Sequence, residues 1–150
     1  MATTISGKAE ISLSFNHGKT AVADTINYGG KLSRSYSNDY TSTDLTKVYF
    51  ANRGSPTPIA TTETLDLTSL VSPGYGEATN FSTVKILVIK NTHTSAITVG
   101  GGSNPFIANS FSLPAGGIYS VVFSQSVSGS TKNIATSGTN YKYEISILGA

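Results

Sequence analysis

Apolar and polar residues alternate with a period of two along most of this chain, and no long stripe with the period of a helix occurs. In residues 9–15, Ala, Ile, Leu and Phe are separated by Glu and Ser, which predicts a strand with one apolar face. Residues 16–19 predict a turn, and residues 21–26 predict the return strand. Two further short strands are expected at residues 32–36 and 48–51.

The second half of the chain carries the clearer pattern. Strands are predicted at residues 84–90, 96–99, 106–113, 118–123 and 141–148, with Gly, Pro and Asn between them. About eight to ten strands at a spacing of roughly ten residues are typical of a sandwich or jelly roll. We therefore expect one all-β domain over residues 1–150. It should be an antiparallel β-sandwich, jelly-roll-like, with less than about a tenth of its residues in helix.

Strand parity also predicts the core. The same-parity apolar positions of the best strands, which should be mostly buried, are Ile86, Val88, Ile97, Val99, Val121, Phe123, Ile145 and Ile147. Residues 84–89 are apolar on both faces, so burial of both faces of that strand is the alternative. Replacing Val88 by alanine should then cost about 2 kcal/mol or more.

Three segments remain outside this pattern. Residues 66–71 fit either a helical turn or an edge strand, residues 37–44 fit a polar loop, and the prolines of residues 54–58 exclude an interior strand.

Charge is sparse, since Asp, Glu, Lys and Arg make up 12% of the residues and the net charge is +2. Ser and Thr account for more than a quarter of the chain. A surface covered with hydroxyls is easier to desolvate than an ionic one, which suits packing against other proteins. Two excess charges are a weak basis for binding nucleic acid. The absence of cysteine excludes disulfides and thiolate metal sites.

The sequence predicts no membrane association. No apolar run approaches the roughly 20 residues of a membrane helix. The first residues lack the basic and apolar regions of a secretory signal, so we expect either a protein that is made and kept soluble or a sequence that is already the mature form.

Charge is also uneven, because residues 78–143 contain no acidic side chain but include Lys85, Lys90, Lys132 and Lys142. Chance in a weakly charged chain explains this pattern. The alternative is a mildly positive face for an acidic partner surface.

Two glycine-containing segments resemble phosphate loops without meeting their requirements. Gly18-Lys19-Thr20 lacks the glycine that the full motif needs five positions earlier, where Leu13 stands in a predicted strand. Residues 100–105 lack the glycine spacing and the following helix of a dinucleotide loop. Both segments are predicted to be turns.

The sequence does not supply a catalytic set. The two histidines, His17 and His93, lie in predicted turns without a nearby carboxylate to orient them. The acid-free stretch argues against a pair of glycosidase carboxylates. Asp39 and Asp44 could bind calcium, but their segment lacks the ligand density of a calcium loop. We expect no enzymatic activity, no cofactor and no metal.

Eight tyrosines and no tryptophan favour an interaction surface. Tyr36, Tyr40 and Arg34 flank the predicted polar loop, and Tyr and Arg are enriched at binding hot spots. These residues are the candidate protein interface, and Lys132 marks the rival, basic one. The alternative is that the tyrosines simply occupy both faces of strands.

The last 85 or so residues resemble small accessory virion proteins of tailed bacteriophages. The resemblance rests on strands and turns rather than on chemistry, in the segments DLTSL at 66–70, FSTVKILVIKNT at 81–92, AITVGGGSNPF at 96–106, LPAGG at 113–117 and YEISILG at 143–149.

This resemblance implies a non-enzymatic protein that decorates or cements a capsid. The implied partners are the major capsid protein or other virion proteins, together with further copies of this chain. There should be no direct contact with nucleic acid or membrane. The expected location is the outside of the virion, after assembly in the host cytoplasm, and many weak contacts on a lattice would supply avidity. The alternative is a tail, baseplate or fibre component that binds a receptor or carbohydrate. A hydrolase is a third and weaker possibility.

Overall fold

The computed structural model describes the backbone of residues 7–20 and 27–40, and both backbone and side chains of residues 45–71 and 78–150. The chain divides into two compact units, of which Gly7–Tyr40 is one, and each is treated by itself below. The described residues contain strands and turns and no helix, which confirms the predicted all-β class.

Twelve strands occur in the described residues, more than the eight to ten predicted. They are β1 (Gly7–Thr20), β2 (Asn27–Tyr40), β3 (Lys47–Arg53), β4 (Thr62–Asp66), β5 (Leu70–Val71), β6 (Ala78–Thr79), β7 (Thr83–Asn91), β8 (Ile97–Val99), β9 (Phe111–Leu113), β10 (Ile118–Ser126), β11 (Asn133–Ser137) and β12 (Tyr143–Gly149).

The first unit is an antiparallel hairpin in which β1 pairs with β2 from Gly7↔Tyr40 to Thr20↔Asn27. The predicted turn at residues 16–19 is wrong. Because Gly18 lies opposite Gly29, with no side chain on either, the pairing continues through that segment. The predicted loop at residues 37–44 is also wrong for residues 37–40, which end β2. The predicted strand at 21–26 and residues 41–44 lie outside the described residues.

The second unit is a β-sandwich of two four-stranded antiparallel sheets, ordered β10-β7-β12-β3 and β4-β11-β8-β9. Their inner faces contribute to one hydrophobic core, as the sequence predicted for a sandwich. Consecutive strands mostly alternate between the sheets, which is a feature of jelly rolls. The jelly-roll description stays an interpretation of this strand order. The short pair β5-β6 lies outside the two sheets.

The core confirms most of the predicted positions. Ile97, Val99, Ile145 and Ile147 are fully buried within the core cluster. In β7 the prediction is partly wrong. Ile86 is buried, at 9% exposure, but lies outside the core cluster, and Val88 is only half-buried. The residues that β7 contributes to the core cluster are Val84, Leu87 and Ile89.

The reason for this error is a register irregularity between β12 and β7. Gly149 lies opposite Val84 while Leu148 lies opposite Ile86, so that Lys85 is skipped. A skipped residue changes the parity of the face beyond it. Val88 therefore lies opposite Ser146 and Ser120, is only half-buried, and should not carry the stability effect expected from the sequence.

Two strands of the sandwich escaped prediction, and one predicted strand is shorter than expected. β4 and β11 are polar five-residue strands that each bury one large aliphatic side chain, Leu65 and Ile134. The strand predicted over residues 106–113 is reduced to Phe111–Leu113. For residues 66–71, the edge-strand alternative holds at Leu70–Val71.

Candidate functional site

The two sheets of the sandwich have unequal length at one lateral edge. There, β10 ends one sheet with nine residues and β9 ends the other with three. At about 3.3 Å per residue, β9 can cover only about a third of the inner side of β10. We call this side, formed by β9 and β10, the open edge. The mismatch leaves a cleft between the sheets.

Exposure of the inner side chains follows this mismatch. On β7 and β12, Leu87, Ile89 and Ile147 are fully buried, with 0% exposure. On β10, the inward-facing side chains are only partly buried instead; they are Tyr119, Val121, Phe123 and Gln125. Val121 lies directly opposite Leu87, so the change from closed to open interior occurs within one strand spacing. The sequence prediction of Val121 and Phe123 as core is therefore only partly correct.

The cleft has a volume of about 500 Å3 and an aromatic lining. The rings of Phe111 and Tyr119 lie 4.8 Å apart at 43°, and those of Phe106 and Phe123 lie 5.8 Å apart at 33°. Both separations are in the range of favourable aromatic pairs. The other lining residues are Ile107, Ala108, Asn109, Val121 and Gln125. We call this site the aromatic cleft; its volume and apolar lining are typical of binding pockets.

A glycine run shapes the loop that lines one side of the aromatic cleft. Gly100, Gly101 and Gly102 all have positive φ, at 92°, 72° and 85°. A Cβ at Gly100 would lie 2.7 Å from the backbone oxygen of Asn109, so only glycine fits this close approach. The Gly101 amide donates to the Ile107 oxygen at 2.9 Å. This run connects β8 and β9, as the turn prediction required.

Asn91, at the end of β7, fixes the β9–β10 connection at the base of the aromatic cleft. Its side chain is completely buried, and Nδ2 donates to the carbonyl oxygens of Leu113 and Pro114 at 2.9 and 3.0 Å. Its backbone amide donates to Gly117 O, and its backbone oxygen accepts from the Gly116 amide. One buried amide thus determines how β9 and β10 are placed. His93 follows in the same turn, and its backbone amide donates to Asn91 Oδ1 at 2.9 Å.

The opposite lateral edge, formed by β3 and β4, is closed by a polar network. Arg53 of β3 forms a salt bridge with Glu63 of β4, with Nε 3.0 Å from Oε1. The Tyr143 hydroxyl donates to Glu63 Oε2 at 2.7 Å. Burial, with a further contribution from the Glu63 carboxylate, raises the pKa of Tyr143. Hydrogen bonding to Glu63 raises the pKa of Arg53, so the guanidinium stays ionised. We call this side the closed edge.

Two stacked tyrosines continue the closed edge into the core. The rings of Tyr141 and Tyr143 lie 6.1 Å apart at 11°. The Tyr141 hydroxyl donates to the Thr136 carbonyl at 2.9 Å, and burial raises the pKa of Tyr141. Every polar group named in this network has a partner, as is usual for buried polar groups.

The outer face of the β10-β7-β12-β3 sheet is a second candidate surface. Phe50 and Ile118 are 58% and 62% exposed there, at opposite margins of the sheet. A shallow depression of about 300 Å3 lies beside Phe50. Lys90 and Glu144 pair across the same sheet at 3.7 Å and are both about half-exposed.

The interface residues predicted in the first unit belong to a strand rather than a loop. In β2, Arg34 lies opposite Leu13, Tyr36 opposite Ile11 and Tyr40 opposite Gly7. Their side chains lie outside what the structure describes. Their assignment to a protein interface stays a prediction.

Lys132 has a partner within the chain. Its Nζ lies 2.8 Å from Asp66 Oδ2, and Thr68 donates to the other carboxylate oxygen through both its amide and its hydroxyl. Hydrogen bonding from Lys132 and then Thr68 lowers the pKa of Asp66 to about 2. Because Lys90 also pairs with Glu144, acids from outside the lysine-only segment neutralise part of the predicted positive face.

Sequence reasoning missed the aromatic cleft, although a signal existed. Phe106, Phe111, Tyr119 and Phe123 are four of the fourteen aromatic residues of the chain and lie within eighteen positions of one another. They are also followed by Gln125, a polar residue at an inward position. Parity identified the face of β10 but not whether another sheet covers it.

Among residues 45–71 and 78–150, no cluster of three or more His, Asp or Glu side chains suited to a metal ion is found. None of the described segments forms a helix that is long and apolar enough to cross a membrane. Comparison with known protein families, curated proteins and solved structures found no match.

Proposed function

We propose that this chain is a non-enzymatic structural protein of a tailed-phage virion that decorates or cements the capsid through protein–protein contacts. The observation that carries the proposal is the aromatic cleft, which is large and open and is lined by nine residues without a carboxylate, amine or imidazole. Such a lining can bind an apolar or aromatic group but offers no general acid or base in the neutral pH range.

The surface chemistry supports the same proposal. A chain with 12% charged residues loses little hydration when a neighbour covers it. Phe50 and Ile118 add exposed apolar area outside the aromatic cleft. The residues that resemble accessory virion proteins include most of β7, β8 and β12, which form much of the sandwich. Repeated weak contacts on a capsid lattice would then supply the avidity.

The alternative is a fibre, tail or baseplate component that binds a receptor or carbohydrate. One observation favours it, because the aromatic cleft combines rings with the polar side chains of Asn109 and Gln125. Aromatic faces with polar neighbours suit the apolar faces and hydroxyls of a sugar. The side-chain amide of Gln125 already makes one hydrogen bond within the chain, because its Nε2 donates to the Phe106 backbone oxygen at 3.3 Å.

Retention on isolated capsids tests the main proposal. The purified chain should sediment with capsids, and because few ions take part, retention should fall less than about tenfold between low and high salt. The affinity of a contact with nucleic acid would fall about a thousandfold or more over the same range of salt. Tyr36→Ala should weaken retention if the first unit carries the contact. Lys142→Glu is the matched charge variant, since Lys132→Glu would place two carboxylates together at Asp66.

Failure to associate with any virion component would contradict the proposal. Steep salt dependence together with loss on Lys142→Glu would move the contact to the basic surface. Binding to a glycan array that is abolished by Tyr119→Ala, without capsid binding, would establish the alternative.

A further inference from the structure

The open edge exposes a long strand that carries no charge. Among the residues that the structure describes, β10 has one hydrogen-bonded neighbour, β7. Its nine residues Ile-Tyr-Ser-Val-Val-Phe-Ser-Gln-Ser contain neither a charged side chain nor proline. Edge strands of this kind pair readily with another chain, and natural proteins usually block them with charge, proline or short length.

The other three edge strands of the sandwich have such protection. β3 includes Lys47 and Arg53, and β4 includes Glu63 and Asp66. β9 is uncharged but has only three residues and is followed by Pro114. β10 has only the register irregularity after Val122, so its regular segment, residues 118–122, stands apart from the other edges of the same sandwich.

The backbone groups that β10 directs away from β7 can be assigned from the ladder. The amide of Asn91 donates to the Gly117 oxygen, and Tyr119 and Val121 then lie opposite Ile89 and Leu87. Hydrogen-bonded and non-hydrogen-bonded pairs alternate in an antiparallel ladder. The N–H and C=O groups of residues 118, 120 and 122 therefore face away from the sheet.

We propose that β10 pairs antiparallel with β10 of a second copy, about a two-fold axis at Ser120, to form a continuous eight-stranded sheet. Ser120 would then face its own copy, with Tyr119 opposite Val121 on the inner face and Ile118 opposite Val122 on the outer face. The three outward-facing residues of each strand would exchange about six backbone hydrogen bonds. The proposal does not depend on a virion location.

The side-chain pattern is what identifies the second copy as the partner. Residues 118–122 read apolar, aromatic, serine, apolar, apolar, so reversal about Ser120 places an apolar side chain opposite each apolar or aromatic one. With no charge in β10, identical strands do not repel each other. The paired segment also ends before the register shift between Val122 and Gln125. Pairing would cover Ile118 and bring two aromatic clefts side by side.

Sedimentation of the full chain over a range of concentrations tests the pairing. We expect a concentration-dependent dimer that Ser120→Lys weakens on the order of tenfold or more, because two like charges would stand directly opposite each other. Ser126→Lys is the matched control. Ser126 is also an exposed serine of β10 but lies outside the paired segment. It should leave the dimer intact.

Cross-linking provides a second readout that does not depend on added charge. The chain has no cysteine, so Ser120→Cys creates a single thiol that can form only an intermolecular disulfide. Opposed residues of a hydrogen-bonded pair have Cα atoms about 5.5 Å apart, which a disulfide can span. Under mild oxidation, Ser120→Cys should cross-link on the order of tenfold faster than Ser126→Cys. A monomer at all concentrations, a dimer indifferent to Ser120→Lys, or equal cross-linking of the two cysteine variants would overturn the proposal.

Discussion

The closed and open edges of the sandwich differ in what covers the inner faces of the two sheets where the sheets end. At both, two sheets end and their inner faces would meet water. At the closed edge, Arg53, Glu63 and Tyr143 bridge the sheets with hydrogen bonds and an ion pair. At the open edge, Phe111 and Tyr119 pack against each other and line an aromatic cleft of about 500 Å3.

We infer that this difference separates the residues that stabilise the sandwich from those that would contact a partner. A satisfied polar network holds the sheets at a defined distance and exposes little that a partner could use. An open apolar cleft leaves the inner side chains of β10 only partly buried, but it offers an uncharged surface for binding. We therefore expect substitutions at the closed edge to alter stability, and substitutions at the open edge to alter association.

The largest expected effect comes from making the same substitution, valine to alanine, once in the closed interior at β7 and once in the aromatic cleft at β10. Val84 of β7 is fully buried, whereas Val121 of β10 is only partly buried and lines the aromatic cleft. Val84→Ala should lower the free energy of unfolding by about 2.5 kcal/mol, because it removes buried methyl groups and leaves a cavity. Val121→Ala should cost about 1 kcal/mol, because water already reaches this site. Chemical denaturation measures both, and equal losses would show that the cleft is closed in solution.

A smaller effect is expected from breaking the closed edge itself. The Glu63 side chain is 15% exposed and its partner Arg53 is 32% exposed. Glu63→Ala should cost about 2 kcal/mol, since it leaves a partly buried guanidinium and the Tyr143 hydroxyl without their acceptor. Glu144→Ala is the control. It removes the carboxylate of a half-exposed pair on the outer sheet face and should cost less than about 0.5 kcal/mol. Similar values for the two variants would mean that the network does not hold the sheets together.

The sequence predicts the sandwich well where a strand has one apolar face. β8 and β12 were located, with Ile97, Ile145 and Ile147 in the core, because their alternation is strict. β4 and β11 were missed because each has one large aliphatic residue among polar ones, and their pairing, not their composition, makes them strands.

The aromatic cleft and the closed edge were harder to predict from the sequence than the strands themselves. Arg53 and Glu63 are ten positions apart with two prolines between them, so their contact depends on how β3 and β4 face each other. Tyr119 and Phe123 stand at inward positions of β10, but their incomplete burial depends on the short length of β9. Periodicity reports which side of a strand is apolar and gives no information on what lies across from it.

The smallest expected effect concerns the second ion pair that involves β4, between Asp66 and Lys132. Hydrogen bonds from Lys132 and Thr68 lower the pKa of Asp66 from 3.8 to about 2. A group whose pKa is lower in the folded state stabilises the fold above its unfolded value and loses this contribution as the pH falls through the folded value. The contribution should therefore be complete above about pH 4 and lost towards pH 2.

Because the two side chains are 31% and 32% exposed, solvent screening reduces this contribution to about 1 kcal/mol or less. Asp66→Asn should lower the free energy of unfolding by about that amount at pH 7 and by almost nothing near pH 2, measured by urea denaturation across this range. Lys142→Ala changes an exposed lysine and should leave the loss of stability at acidic pH unchanged. An Asp66→Asn variant that loses as much stability at pH 2 as at pH 7 would show that the Thr68 turn, rather than the ion pair, accounts for the effect, because the turn needs no charge on residue 66.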